Sequence, residues 1–173
     1  MAEDEDVQWL DEAEMGTWLG LARLVIRLPA ALDAQLRRDA GISHFEYQVL
    51  AVLSMSEGRT MRMSDIAAFA DGSLSRLSHT FKRLERQGWV ERAPDPDDGR
   101  YTLARLTDDG WAKVVATAPG HARTVRQYVF DPLPKAQVRQ LGEIAQHISG
   151  AIGPDPWDPT ASPKALEQDP DSG

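Results

Sequence analysis

Cysteine is absent from all 173 residues, which excludes disulfides, thiolate metal sites and thiol-based redox sensing. No uninterrupted apolar run approaches the roughly 18 residues that a membrane span needs. The N-terminus, with Glu3, Asp4, Glu5 and Asp6, is acidic and does not resemble a signal peptide. The chain has no Walker loop, no G-x-S-x-G elbow, no G-x-G-x-x-G turn and no internal repeat. Its four histidines, His44, His79, His121 and His147, never pair at metal-ligand spacing. These absences argue against an enzyme, a metal site or a cofactor, and for a cytoplasmic protein with one real core and helical extensions.

Positive charge is also short overall. The net charge of −8 argues, taken alone, against a nucleic-acid partner. Its distribution says otherwise. Residues 1–14 hold seven acids and no base, and residues 153–173 carry a net −4, so the middle of the chain is +3. Residues 1–8 have little to bury and read as a disordered acidic N-terminus, and the proline-rich 153–173 as a disordered acidic tail.

The stretch that stands out is 73–88, SLSRLSHTFKRLERQG. At 100° per residue, Leu74, Leu77, Phe81 and Leu84 form one stripe. Ser75, His79, Lys82, Arg83 and Arg86 gather opposite, with Arg76 at the edge. Ser73 is the expected N-cap and Gly88 the left-handed stop. A front of hydroxyls, imidazole and cations can donate to phosphates and base edges.

The neighbours give that helix a context. Residues 9–40 show helical spacing (Trp18, Leu21, Leu24, Val25, Leu28, Leu32), with Pro29 predicting a bend or break near Arg27–Ala30. Ser43 and Glu46 make a capping box for a second helix. A short third helix starts at Ser64 or Asp65 and closes at the Asp71-Gly72 turn, so helix, turn and polar-fronted helix follow one another. Trp89–Ala93 and Tyr101–Leu106 alternate as strands around the loop 94–99. Thr107 caps a helix running to about Phe130, kinked at Pro119-Gly120, and a last helix runs from Pro134 to Gly150. The fold class is mainly α with a small β-hairpin wing: a winged helix-turn-helix at 43–106, an N-terminal helix at 9–40 and C-terminal helices at 107–150.

Asp98-Gly99-Arg100, five residues, then Leu106-Thr107-Asp108-Asp109-Gly110 matches the D-x-R…L-T-x-x-G pattern of the MarR family of bacterial transcription factors. Leu84–Arg92 resembles the family's recognition-helix end and first wing strand, and the element order agrees over about 10–150. The resemblance implies a homodimer clamped by its first, fifth and sixth helices on a palindromic operator, expected to repress. It implies that Ser73, Ser75, Arg76, His79, Lys82 and Arg83 face the major groove, and that Arg100 enters the minor groove with Asp98 holding its guanidinium. Arginine forks suit both sites. Against this, Asp95, Asp97 and Asp98 make the wing acidic, which predicts weak or salt-sensitive wing contacts.

Many relatives bind a small aromatic or phenolic effector between dimer helices and winged domain. Here Trp18, Ala22, His44, Tyr47 and Trp111 are the residues to line such a crevice; alternatively the aromatics are core and His44 is a satisfied turn residue. A winged-helix module that binds other proteins, without strong DNA binding, is the alternative function, motivated by the acidic wing and the net charge.

Overall fold

A computed structural model describes residues 7–69 and 74–153, without the side chains of Phe69 and Leu74. The expected Asp71-Gly72 turn, the Ser73 cap and nearly all of both acidic tails lie outside the described residues.

Two capping boxes organise the N-terminal half. Asp11 accepts from the Glu14 N–H at 2.8 Å while Glu14 accepts from the Asp11 N–H at 2.9 Å, so helix α1 spans Glu12–Ala40 rather than starting at Trp9. It runs unbroken through Pro29, so no break occurs there. A proline removes one intrahelical bond, and both ends of α1 are fastened. At its C-terminus Gly41 is left-handed (φ 69°) and donates to the Arg37 carbonyl at 3.1 Å. Helix α2, His44–Met55, starts with the Ser43–Glu46 box as expected.

Strand β1, Thr60–Arg62, is not visible in the sequence pattern. It leads directly into α3, Met63–Phe69, and α4 covers Leu74–Arg86. Gly88 is left-handed (φ 72°), and the Trp89 N–H closes α4 by donating to the Leu84 carbonyl at 3.1 Å. The wing strands are β2, Val90–Pro94, and β3, Thr102–Leu106. The antiparallel sheet runs β1-β3-β2, with Arg62 opposite Leu103 and Pro94 opposite Thr102. The hairpin is therefore the outer part of a three-stranded sheet whose far edge belongs to the helix-turn-helix.

Helix α5, Asp108–Val125, is capped by Thr107 and also passes its proline, Pro119, without a break. The irregularity comes later, at a π-helical turn over Arg126–Phe130, where the Asp131 N–H reaches back to the Arg126 carbonyl at 2.8 Å. Helix α6 is Lys135–Ile152.

The core joins α2, α3, α4, the sheet and the start of α5. Val49, Leu50, Leu53, Ile66, Leu77, Phe81, Leu84 and Ala104 are fully buried. The terminal helices differ. Only Leu32, Gln35 and Leu36 of α1 are buried, and no residue of α6 is. Trp18, Val25, Ile26, Ile144, Ile148 and Ile152 are exposed. Helix α1 is long and apolar enough, by length and composition, to cross a membrane, although Arg23 and Arg27 stand in its middle and only 6% of that window is buried.

Candidate nucleic-acid interface

Helix α4 separates its faces sharply. Leu77, Phe81 and Leu84 are wholly buried, while Ser75, Arg76, His79, Lys82, Arg83 and Arg86 are exposed. This is the division read from the spacing. Thr80, which the spacing left unassigned, is buried.

The cations on that front are held in different ways. Arg76 lays its guanidinium 4.2 Å from the centre of the Phe45 ring. The Nε of Arg83 donates to Glu46 Oε1 at 2.5 Å, and Glu46 is the buried acid of the α2 capping box. Arg83 thus serves the start of α2 as well as the outer face of α4. Lys82 has no ion-pair partner among the described residues. Glu85, the acid on α4, is neutralised by a two-pronged contact from Arg92 at 2.7 and 2.5 Å. The positive character of the helix front therefore survives its one carboxylate.

At the wing, Asp98 grips Arg100 through the guanidinium (Nε to Oδ1 2.9 Å, Nη2 to Oδ2 2.6 Å) and the backbone N–H (3.2 Å). Those bonds hold the Asp98 carboxyl below the usual carboxylate range. The Arg100 side chain stays 85% exposed, so it is oriented without being covered. The acidity of the wing is smaller than its composition suggests. Asp95 is buried, accepts from the Asp97 N–H at 3.0 Å and pairs with Arg62 at 2.9 Å. Those two contacts, the amide first, hold its carboxyl below the usual range. Of the three wing aspartates, Asp97 alone is an exposed carboxylate with no ion-pair partner among the described residues.

The residues expected to line an effector crevice do not assemble as a group. His44 and Tyr47 do meet, around His121 of α5. The His44 and His121 rings are 6.0 Å apart and the Tyr47 and His121 rings 4.6 Å, and burial lowers both imidazoles below the usual histidine value. Trp111 stacks instead under Arg59, 4.3 Å away. Trp18 and Ala22 lie on the outer half of α1. Fifteen residues separate Trp18 from Asp33, which bonds the His44 N–H at 2.8 Å, a helical rise of roughly 22 Å. An open crevice of about 580 Å³ does exist, between Asp33 and Arg37 on α1, His44 on α2, and Arg76, Thr80 and Arg83 on α4. Of the five expected residues only His44 lines it. Sequence spacing missed Asp33, Arg37 and His121, which sit on other elements and come close only in the folded chain.

Gly110 joins the wing to α5. A Cβ at this position would lie 2.1 Å from the Trp89 carbonyl oxygen, so only glycine fits. Thr107 Oγ1 donates to the Gly88 carbonyl at 2.6 Å and accepts from the Gly110 N–H at 3.0 Å. The L-T-x-x-G pattern is thus the latch between the end of α4 and the start of α5.

A helix-turn-helix backed by a three-stranded wing, with a cationic front on its second helix, defines the winged-helix DNA-binding class. Residues 43–110 match the family described as winged helix DNA-binding domain. The chain is 39% identical to Sco3205, a MarR family transcriptional regulator from Streptomyces coelicolor solved in complex with DNA, over 89% of this chain and 99% of that one, with a TM-score of 0.81. It is 33% identical to AbsC, a MarR family regulator of the same organism, over 83% and 99%, with a TM-score of 0.75. Among curated relatives, the transcriptional repressor IacR of Pseudomonas putida is 30% identical over 59% of each chain. The first of those curated relatives are matched over little more than half their length. The chain belongs to the MarR family of transcriptional regulators.

Proposed function

We propose that two copies of this chain bind a palindromic operator on duplex DNA in the cytoplasm and repress transcription from it until a small anion releases them. In each copy α4 enters the major groove, with Ser75, Arg76, His79, Lys82 and Arg83 toward bases and phosphates; Ser73, outside the described residues, is expected to join them. Arg100, oriented by Asp98, enters the neighbouring minor groove. The observation that carries this reading is the division of α4 into a wholly buried apolar back and an exposed front of cations, hydroxyls and imidazole. The solved complex of Sco3205 with DNA supports a duplex as the partner, and the name of IacR supports repression. A protein-binding module is disfavoured, since its main motive, an acidic wing, shrinks to Asp97.

The helices within 9–40 and 107–150 are read as dimer arms. Trp18, Val25, Ile26, Ile144, Ile148 and Ile152 are exposed on these helices, and exposed apolar surface of this kind in a folded chain marks an interface. A lipid partner for α1 is disfavoured, because each guanidinium near the centre of a span costs about 2.5–3.5 kcal/mol. The releasing anion is assigned to the crevice beside His44. Arg76 and Arg83 line it and also stand on the reading face, so an aromatic or phenolic anion there competes with DNA for the same cations. Trp18 and Ala22 then belong to the dimer surface and Trp111 to the winged domain.

The test is selection of bound duplexes from a random pool by the purified protein. A palindrome with half-sites about one helical turn apart is expected, and recovery of unrelated sequences overturns the reading. On the selected site, Arg76→Ala should cost ~1–3 kcal/mol and relax one base preference. Lys82→Ala should weaken all sequences alike and lower the salt slope by about 1.

A further inference from the structure

We infer that Arg62 is a positioning residue for the wing: it fixes where Arg100 stands relative to α4, and so sets the spacing between the two groove contacts. This rests on the DNA-reading role proposed above.

The geometry is a closed set of ties. Arg62 is the last residue of β1, and α3 begins at the next residue, Met63. Its Nε donates to Asp95 Oδ2 at 3.1 Å, its Nη2 lies at ion-pair distance from the same oxygen (2.9 Å), and the guanidinium stands 4.3 Å from the centre of the Tyr101 ring. Asp95 and Tyr101 are the two ends of the wing loop. They are bonded to each other, the Asp95 N–H donating to the Tyr101 carbonyl at 3.0 Å. Inside the loop, the Tyr101 N–H donates to the Asp98 carbonyl at 2.9 Å, and Asp98 grips Arg100. One side chain rooted where the helix-turn-helix begins therefore holds both feet of the loop that carries Arg100.

The chemistry explains an otherwise wasteful arrangement. A buried carboxylate in a DNA-facing wing is costly unless it is paired and hydrogen-bonded. Here Asp95 has an amide on one oxygen and Arg62 on the other. A two-stranded ribbon alone is a floppy support, and the ladder between β1 and β3 stops at Arg62 opposite Leu103. Beyond that pair, the Arg62 side chain is what continues the connection to the loop. A lysine keeps the charge but has neither the planar fork nor the flat face that stacks on Tyr101.

The experiment uses the full chain and the selected operator, in versions whose wing-contact flanks are A·T or G·C. The readout is the ratio of affinities for the two flanks, which loss of overall stability alone would not move. Arg100→Ala is the reference and should shrink that ratio by about three- to tenfold. Arg62→Gln should shrink it as much, Arg62→Lys should restore only part of it, and the Arg62→Gln/Arg100→Ala double variant should match Arg100→Ala alone. A normal flank ratio in Arg62→Gln, with Arg100→Ala defective, overturns the positioning role and leaves the DNA-reading role standing. An unchanged ratio in Arg100→Ala overturns the groove contact of the wing, and the positioning role with it. Should Arg62→Gln fail to fold, Tyr101→Leu decides, because it removes the stacking face and leaves the ion pair: a reduced ratio supports the role and an unchanged one overturns it.

Discussion

The winged domain and the terminal helices use similar apolar side chains to opposite ends. In the winged domain, Phe81, Leu77 and Leu84 of α4 are completely enclosed by α2, α3 and the sheet. In α1 and α6, Val25, Ile26, Ile144 and Ile152 stand in the open. The difference teaches that one part of the chain satisfies its own hydrophobic surface, and the other leaves surface to be satisfied by something else.

The largest expected effect breaks the self-sufficient half. Phe81→Ala should destabilise the protein by about 3–5 kcal/mol, lowering the melting temperature by on the order of 10 °C. A loss of only one or two degrees in a thermal melt would show that the core is less tightly closed around this ring than its burial indicates. A middle-sized effect sharpens the contrast. Val25→Asp with Ile144→Asp should leave the circular dichroism of the winged domain intact and raise the dissociation constant of the proposed dimer about thirtyfold or more, measured by sedimentation equilibrium. Unfolding of the winged domain by this pair would erase the distinction between the halves.

The smallest effect lies on the seam between them, where His44 of α2, His121 of α5 and Gln35 of α1 converge. Burial lowers both imidazoles, so the folded chain binds fewer protons than the unfolded one near and below the ordinary histidine value of about 6.5. Stability therefore falls as pH drops through that range. Asp33, Asp95 and Asp98, all lowered, keep contributing until acidity reaches the carboxylate range, about pH 4 and below. Thermal melts at about pH 7.5 and 5.5 should differ by a few degrees, and His121→Asn should narrow that gap. Equal melting temperatures at the two values would mean that these rings are as well solvated folded as unfolded.

What the sequence made legible follows from range. The faces of α4, the Ser43–Glu46 box and the Gly88 stop are set by residues within a few positions of one another, and each was readable; the Asp98–Arg100 clamp came from the family resemblance and is present. Strand β1 was not, because three residues cannot display an alternation and its partner, β3, lies some forty positions away. The prolines show the other side. Of the bend or break expected at Pro29, the break does not occur, and α5 likewise continues through Pro119; the departure from α geometry at 126–130 has no local sequence signal. The crevice was the least legible part. Its residues come from three helices, and Asp33, Arg37, His44, Arg76 and Arg83 stand too far apart in the chain for spacing to show that they share one cavity.

The latch at Gly110 has a mechanical consequence. With no room for even a methyl group between α5 and the Trp89 backbone, and with Lys113 of α5 bonded to the Ala40 carbonyl at 2.7 Å, the joint has no slack. In the dimer proposed above, a tilt of α5 would act as leverage on Trp89, three residues beyond α4, and an angular change of a few degrees far from DNA would become a change in the distance between two reading heads.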